Sequence, residues 1–212
     1  MPRKNMKLLG DRPLIDWTIA TALDAKGIDR VIVSTDDEEI ANIARNSRAD
    51  VPFLRPDFLA NDGAKSIDVV LHTLDWLKEN GEEYDAVCLL QPTTPFRSVE
   101  LLQKCIDTFR SEDYTSLISV TEVPHQYHPN WAFVDTGNGR LEPAQGVGSI
   151  IPRRQELPGA YVRDGAVYLT RTQVLREKDF FGKKMGYVLN KEAGQVNIDT
   201  MEDWNMAENI LG

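Results

Sequence analysis

A doubly wound α/β fold with a mostly parallel sheet is predicted by three features of this sequence. Apolar spacing switches repeatedly between the two-residue period of strands and the 3.6-residue period of helices. Asp85–Leu90 is a continuous apolar run of strand length, the pattern of a strand covered on both faces. The 212-residue length suits one compact α/β domain, so residues 1–212 are expected to form a single unit.

The elements follow in order. Leu14, Ile15, Thr18, Ile19, Ala22 and Leu23 give a helical face opened by Pro13 and stopped by Gly27. Arg30–Thr35 is a short β-branched run, hence a strand, and Asp36-Asp37-Glu38-Glu39 then sets carboxylates at a helix N-terminus. Ser66 opens the strongest helical pattern, with Ile67, Val70, Leu71, Leu74 and Leu77 on one stripe and Asn80-Gly81 at its end. The strand Asp85–Leu90, a helix over 98–110 and a strand Ser116–Thr121 continue the series. Residues 124–160, rich in Pro, Gly, His and Gln, break the rhythm. With a hairpin turn at Asp135–Gly139, they read as a small protruding lobe or dimer arm. Strands at Ala166–Thr170, Tyr187–Leu189 and Val196–Ile198 and a helix over 202–211 complete the chain.

Composition narrows the function. A net charge of −9 argues against nucleic acid or an anionic membrane as a general partner, because a phosphate surface would repel it. A small phosphorylated substrate stays open, since a few local cations outweigh a field that salt screens beyond about 8–10 Å. Cys88 and Cys105 lie in apolar segments without metal or redox spacing and read as free buried thiols. No apolar run reaches the roughly 20 residues of a membrane span and no signal-peptide pattern precedes the fold, so the expected compartment is the cytoplasm.

In doubly wound sheets ligands bind beyond the carboxyl ends of strands, which points to Asp36, Gln91 and the loops near Asp164 and Asp199. Four segments there carry candidate chemistry. Lys4 and Asn5, in Pro2-Arg3-Lys4-Asn5, offer a cation for a triphosphate and an amide for a base or ribose, though a solvated terminus has the same look. Arg55 sits in a stiff segment before Pro56, and Ser66 stands at a helix start, where it either caps or helps bind an anion. Gln91-Pro92-Thr93-Thr94-Pro95 presents polar groups on a loop stiffened by two prolines. Asn197 and Asp199 alternate on a strand and so share one side. That gives an oxygen-ligand pair for Mg²⁺, unless Asp199 or Thr200 only caps the last helix. Arg153-Arg154 suits bidentate pairing with a carboxylate or phosphate, or simple exposure. His72, His125 and His128 lack partners at ligand or triad spacing and read as structural.

Taken together, Pro2-Arg3-Lys4-Asn5, Pro13-Leu14-Ile15, Val33-Ser34-Thr35-Asp36, Leu54-Arg55-Pro56, Gln91-Pro92-Thr93-Thr94-Pro95, Arg154-Gln155-Glu156-Leu157-Pro158, Gly165-Ala166-Val167-Tyr168 and Ile198-Asp199-Thr200 resemble the acylneuraminate cytidylyltransferases. The motifs occur in family order across nearly the whole chain. The resemblance implies a nucleotidyltransferase-like, Rossmann-type fold and transfer of CMP from CTP to a nonulosonic, sialic-acid-like 2-keto sugar acid. Pyrophosphate leaves, and Mg²⁺ (or Mn²⁺) assists. It places Lys4, Asn5, Arg55 and Ser66 at the nucleotide, Gln91, Arg154 and Asp164 at the sugar acid, and Asp199 with Asn197 at the metal. Lys4, Asp199 and Arg154 are the implied catalytic groups, and a homodimer is the expected assembly.

Three departures from the family accompany it. Asn197 replaces the first aspartate of an Asp-Ile-Asp motif, which removes one negative charge from the metal site. Asp164 stands where asparagine is usual and would repel a sugar carboxylate unless it faces another group. The family also carries a strand and a basic Gly/Ser-rich phosphate loop ahead of Pro-x-Lys-Asn. Here Met1-Pro2 stand at that point, so two unpaired sheet edges are expected. A synthetase acting on the eight-carbon acid Kdo and a non-catalytic nucleotide- or sugar-binding homologue are the alternatives.

Overall fold

A short antiparallel pair, β1 (Leu8–Leu9) and β2 (Arg12–Pro13), leads into α1 (Leu14–Asp24) in the computed structural model, which describes every residue except Pro2, Asp62, Val147, Ser149 and 192–195. Pro2 of the first motif therefore lies outside the described residues. Helix α1 buries Leu14, Ile15, Thr18, Ile19 and Ala22, the face expected from their spacing. Helix α2 (Glu38–Asn46) is capped by Asp37, whose carboxylate accepts the backbone N–H groups of Glu39 and Ile40. Between these helices Val31–Thr35 is extended, but it makes one parallel bridge, Ile32 to Asp50, rather than a ladder. The neighbour it meets is only the short stretch after α2, with Val33 N–H donating to Asp50 O and Asp50 N–H to Val31 O.

Helix α3 (Ser66–Glu79) buries Ile67, Val70, Leu74 and Leu77. Lys65 is its N-cap and Ser66 its first helical residue, so the hydroxyl makes no capping bond. The remaining elements are β3 (Ala86–Leu89), α4 (Val99–Ser111), β4 (Ser116–Glu122), the hairpin β5 (Phe133–Gly137) and β6 (Arg140–Pro143), β7 (Tyr161–Arg171), α5 (Thr172–Arg176), β8 (Met185–Leu189) and α6 (Met201–Leu211).

The central sheet runs β3-β7-β4-β8. Strands β4 and β8 are parallel, whereas β7 is antiparallel to both β3 and β4. The α/β fold stands, with a mixed sheet where a mostly parallel one was expected. The reversal has a simple cause. The chain leaves β4 at Glu122, makes the lobe, and re-enters the sheet at Tyr161, which pairs with Glu122. A strand entered from the end where its neighbour finished must run the other way, since no helical crossover returns the chain to the far end.

Strand β3 sits at one margin of this sheet and is only half-buried along its length, not covered on both faces as its composition suggested. Among the described residues its edge away from β7 has no ladder partner. Arg30 links the separate Val31–Thr35 segment to this side of the domain. Its guanidinium donates to Asp50 at 2.7 Å and Glu82 at 2.5 Å, and the Tyr84 hydroxyl donates to Glu82 at 2.8 Å. The main core lies between α4 and the sheet, where Leu101, Leu102, Cys105, Ile106 and Phe109 meet Leu117, Ala166, Val167, Leu169 and Val188. A second cluster of Leu9, Leu14, Val196, Ile198, Trp204 and Ala207 fastens α6 to the start of the chain.

Within residues 124–160 the hairpin of β5 and β6 turns through Gly137, Asn138 and Gly139, all at positive φ. Two aromatic side chains anchor its base. Trp131 Nε1–H donates to the Ile151 carbonyl at 2.6 Å. His128 is buried, with Nδ1 accepting Asn130 N–H, which leaves Nε2–H to donate to the Pro158 carbonyl at 2.9 Å. Both ring nitrogens serve structure, as anticipated. Among the described residues no helix is long and apolar enough to cross a membrane.

Candidate active site

Residues 196–198 were expected to form a strand but join no ladder among the described residues. They are held instead by one backbone bond, from Ile198 N–H to the Thr93 carbonyl at 2.7 Å. The opposite side of the same residue is also used, because the Ile198 carbonyl accepts a 2.7 Å bond from Lys4 Nζ. One buried residue thus ties the Lys4 turn to the Gln91–Arg97 loop across nearly the whole chain length.

Lys4 lies in a 3₁₀ turn, Lys4–Met6, entered through Arg3 in the left-handed region at φ 54°. Arg3 is engaged elsewhere, paired with Asp37 at 3.1 Å and Glu39 at 2.8 Å at the start of α2. That leaves Lys4 as the cation directed at Asp199, 3.0 Å from its Oδ1. Asn197 Nδ2–H donates to Asp199 Oδ2 at 2.7 Å. The Asp199 side chain stays 62% exposed despite both contacts, so it is open to a ligand from solvent. Thr200 and Asp203 form a capping box on α6, and the Asp203 carboxylate also accepts Asp199 N–H. Capping therefore falls to Thr200, and the Asp199 carboxylate is left for other work.

For a divalent metal this donor set is sparse. One exposed carboxylate and one amide that can turn its oxygen inward suit an ion that brings phosphate and water ligands with it, as Mg²⁺ does. Among the described residues no cluster of three His, Cys, Asp or Glu side chains could hold a metal unaided.

Asn5 has a buried amide oxygen without a hydrogen-bond partner among the described residues. An unsatisfied buried acceptor costs about 1–3 kcal/mol and is a ready partner for a ligand N–H or O–H. Arg55 is half-buried against the Val31–Thr35 segment, with Nε donating to Ser34 Oγ at 3.2 Å and Nη2 to the Ser34 carbonyl. Burial lowers its pKa, and the charge of Asp36 works against that shift. With Leu59, Asn61, Ser66 and Leu89 it lines a cavity of about 230 Å³.

Two of the three sugar-acid candidates, Gln91 and Asp164, lie at the other end of the Ile198 link. Gly165, at φ +80°, sits so close to the Gln91 loop that an added Cβ would lie 3.3 Å from Thr94 Oγ1 and 3.8 Å from Gln91 Oε1. Asp164 opens a bulge in β7, where the register with β4 jumps between Ile118/Tyr168 and Val120/Arg163. Its carboxylate accepts Ser119 Oγ–H at 2.5 Å, Ala166 N–H at 2.9 Å and Asn190 Nδ2–H at 2.7 Å. Asp164 therefore faces other protein groups. Ser119 and Asn190, both buried, were invisible as its partners in the sequence because they stand 45 and 26 residues away.

Arg154 is brought to neither group. It is exposed on a 3₁₀ turn at the root of the lobe and lines a separate cavity of about 260 Å³ with Glu122, His125, His128 and Tyr161. The geometry thus unites Lys4, Asn197 and Asp199, sets Gln91 beside Asp164–Gly165, and joins the two sets through Ile198.

The structure aligns with CMP:2-keto-3-deoxy-manno-octonic acid synthetase complexed with CTP at a TM-score of 0.71. The alignment covers 100% of this chain and 92% of that one at 14% identity, so it establishes the fold alone. Sequence goes further. The cytidylyltransferase family profile matches residues 1–207, and the chain belongs to that family of nucleotidyltransferases. It is 31% identical over 213 residues to the CMP-N,N'-diacetyllegionaminic acid synthase of Legionella pneumophila, covering 100% of this chain and 90% of the relative. It is likewise 31% identical over 209 residues to the pseudaminic acid cytidylyltransferase of Campylobacter jejuni, covering 98% and 89%.

Proposed function

We propose that this cytidylyltransferase moves CMP from CTP to a nonulosonic acid of the sialic, legionaminic or pseudaminic type. The sugar hydroxyl oxygen forms a bond to the α-phosphorus, the bond from that phosphorus to the β-bridging oxygen breaks, and pyrophosphate leaves as the hydroxyl proton is lost. The two relatives named for such acids support the acceptor class. The observation that carries the reading is the double use of Ile198, whose carbonyl holds Lys4 and whose N–H holds the Gln91 loop. It sets a phosphate-seeking cation and a polar sugar loop on either side of one residue, as joining two bound substrates requires.

Within this reading Asn5 and Arg55 bind the nucleotide, with Ser66 at the same cavity, and Lys4 neutralises charge on the phosphates. Gln91 holds the sugar acid, and Asp164 braces that half of the site through Ser119 and Asn190 instead of repelling the substrate carboxylate. Mg²⁺ (or Mn²⁺) would be held by Asp199 and the Asn197 amide oxygen together with the triphosphate. When bound it supplies further charge neutralisation on the phosphates. The test is pyrophosphate release by the full chain with CTP, Mg²⁺ and each acid in turn. Turnover that chelation stops and Mg²⁺ restores supports the reading; silence with every acid contradicts it. A binding-only homologue is the second reading, favoured by Asn197 in place of a carboxylate.

A homodimer is part of the proposal. Tyr127, Phe133 and Leu141 are exposed on the lobe, Phe133 and Leu141 on one face of its hairpin, and the tilted rings of Tyr161 and Tyr187 meet in the open at its root with centroids 4.9 Å apart. A second copy laid on this face would cover them, and it is also the means by which Arg154 would reach a sugar-acid site. A monomeric mass by light scattering at micromolar concentration would rule it out. The free thiols suit the cytoplasm, which cell fractionation tests.

A further inference from the structure

Arg97 closes the Gln91–Arg97 loop, and neither the nucleotide half nor the sugar-acid half of the site has used it. It is only 4% exposed. Its Nε–H donates to the Ala166 carbonyl at 2.5 Å, Nη2 to the Gln91 carbonyl at 3.1 Å and Nη1, more weakly, to Thr18 Oγ1 at 3.4 Å. All three partners are neutral oxygens, so this buried cation has no carboxylate in direct contact among the described residues. Burial draws its pKa down to about 10, against the attraction of the neighbouring Cys88 thiol and Asp164, so it remains charged at neutral pH.

Such an arrangement is unfavourable for stability alone, since an apolar side chain of similar volume is often tolerated as well or better. The position of the fork suggests what it is kept for. One arm holds Gln91, two residues after β3 ends, and the other holds Ala166, inside the bulge that Asp164 opens. Apart from the 3.4 Å contact of Thr94 Oγ1 with the Gly165 carbonyl, the bonds between loop and bulge among the described residues run through this guanidinium. A planar fork aims two donors in fixed directions, which an ammonium cannot do.

We propose that Arg97 is a positioning residue for the sugar-acid half of the site, setting the Gln91 loop against the Asp164–Ala166 bulge and holding a positive charge beneath the place where an anionic acceptor binds. The inference rests on the reading of the acceptor given above. Arg97 touches none of Lys4, Asn5 and Arg55, so its effect should separate the two substrates.

The experiment compares wild type, Arg97→Lys and Arg97→Met in steady-state kinetics against CTP and against the best nonulosonic acid, with rates normalised to the folded fraction by circular dichroism. Arg97→Lys keeps the charge and loses the fork; its KM for the acid should rise about tenfold, with KM for CTP within about twofold of wild type. Arg97→Met loses both, and its KM for the acid should rise about 100-fold. If Arg97→Met does not fold, Arg97→Lys decides alone. An unchanged acid KM in Arg97→Lys overturns the proposal, as does an equal rise in both KM values or a loss confined to the folded fraction. A wild-type chain that neither binds nor turns over any sugar acid refutes the acceptor reading, and this inference falls with it.

Discussion

Replacing Asp164 by alanine removes an acceptor that three donors share, Ser119 Oγ–H, Ala166 N–H and Asn190 Nδ2–H. Hydrogen bonds to a charged group contribute about 1.5–3 kcal/mol each, and buried donors left behind add their own desolvation cost. Ser119 keeps its bond from Val167 N–H, and Asp164 is partly exposed, so water replaces some of what is lost. The net destabilisation is therefore put at roughly 3–4 kcal/mol. For a chain of this size that lowers Tm by about 6–16 °C. Asp164→Asn keeps an oxygen toward Ser119 and Ala166 and turns one amide against that of Asn190, so about 1 kcal/mol and a shift of about 2–4 °C are expected. Thermal melts by circular dichroism at pH 7 measure both. An Asp164→Ala variant that melts within about 2 °C of wild type would show that the carboxylate does not brace the bulge. It would return Asp164 to the role of a free group facing substrate.

Other outcomes follow from neighbouring geometry. Lys4→Met should lower kcat/KM for CTP about 100-fold, the order found when one donor to developing charge is removed, while Tm moves little because the Lys4–Asp199 pair is partly solvated; an unchanged kcat/KM would remove Lys4 from the nucleotide site. Burial pushes the Cys88 and Cys105 thiols up to about 12, so a disulfide reagent at pH 8 should label neither until denaturant is added; rapid native labelling of Cys105 would contradict the packing around α4. Glu82 is held below the usual carboxylate range by the Tyr84 hydroxyl and then by Arg30, Asp203 by the backbone N–H groups of Thr200 and Asp199, and Asp113 by Lys184. These groups stabilise the fold above the ordinary carboxylate range near pH 4 and lose that contribution as pH falls through their lower folded values. The urea midpoint should accordingly drop below about pH 4, and Glu82→Gln should flatten that drop; a pH-independent midpoint would refute the assignment.

The helices were legible because each carries its evidence locally. The stripe Ile67, Val70, Leu74, Leu77 and the face of α1 follow from spacing alone, and the Thr200–Asp203 box lies within four residues. Strands were less so. Val31–Thr35 and Val196–Ile198 have strand composition, but a ladder needs a partner that composition does not supply; among the described residues the first finds three backbone bonds, to Asp50 and Arg55, and the second one, to Thr93. The reversal of β7 was hidden for a related reason: the lobe gave no sign of which end of the sheet it would return to. At the site, the motifs gave Lys4, Gln91 and Asp199 as isolated points. What joins them runs through Ile198, an apolar residue whose contribution is made by its backbone. Ser119 and Asn190 reach Asp164 across 45 and 26 residues and Arg97 reaches Ala166 across 69, where no pattern in the chain marks them.

The central claim is tested most directly by incubating the full chain with CTP, Mg²⁺ and a panel containing sialic, legionaminic, pseudaminic and Kdo-type acids. Released pyrophosphate and the CMP-sugar are both measured, the latter by mass spectrometry. The account predicts stoichiometric pyrophosphate and CMP conjugate with at least one nine-carbon acid and none with Kdo. Turnover of Kdo alone, or saturable binding of CTP and acid without pyrophosphate, would contradict it.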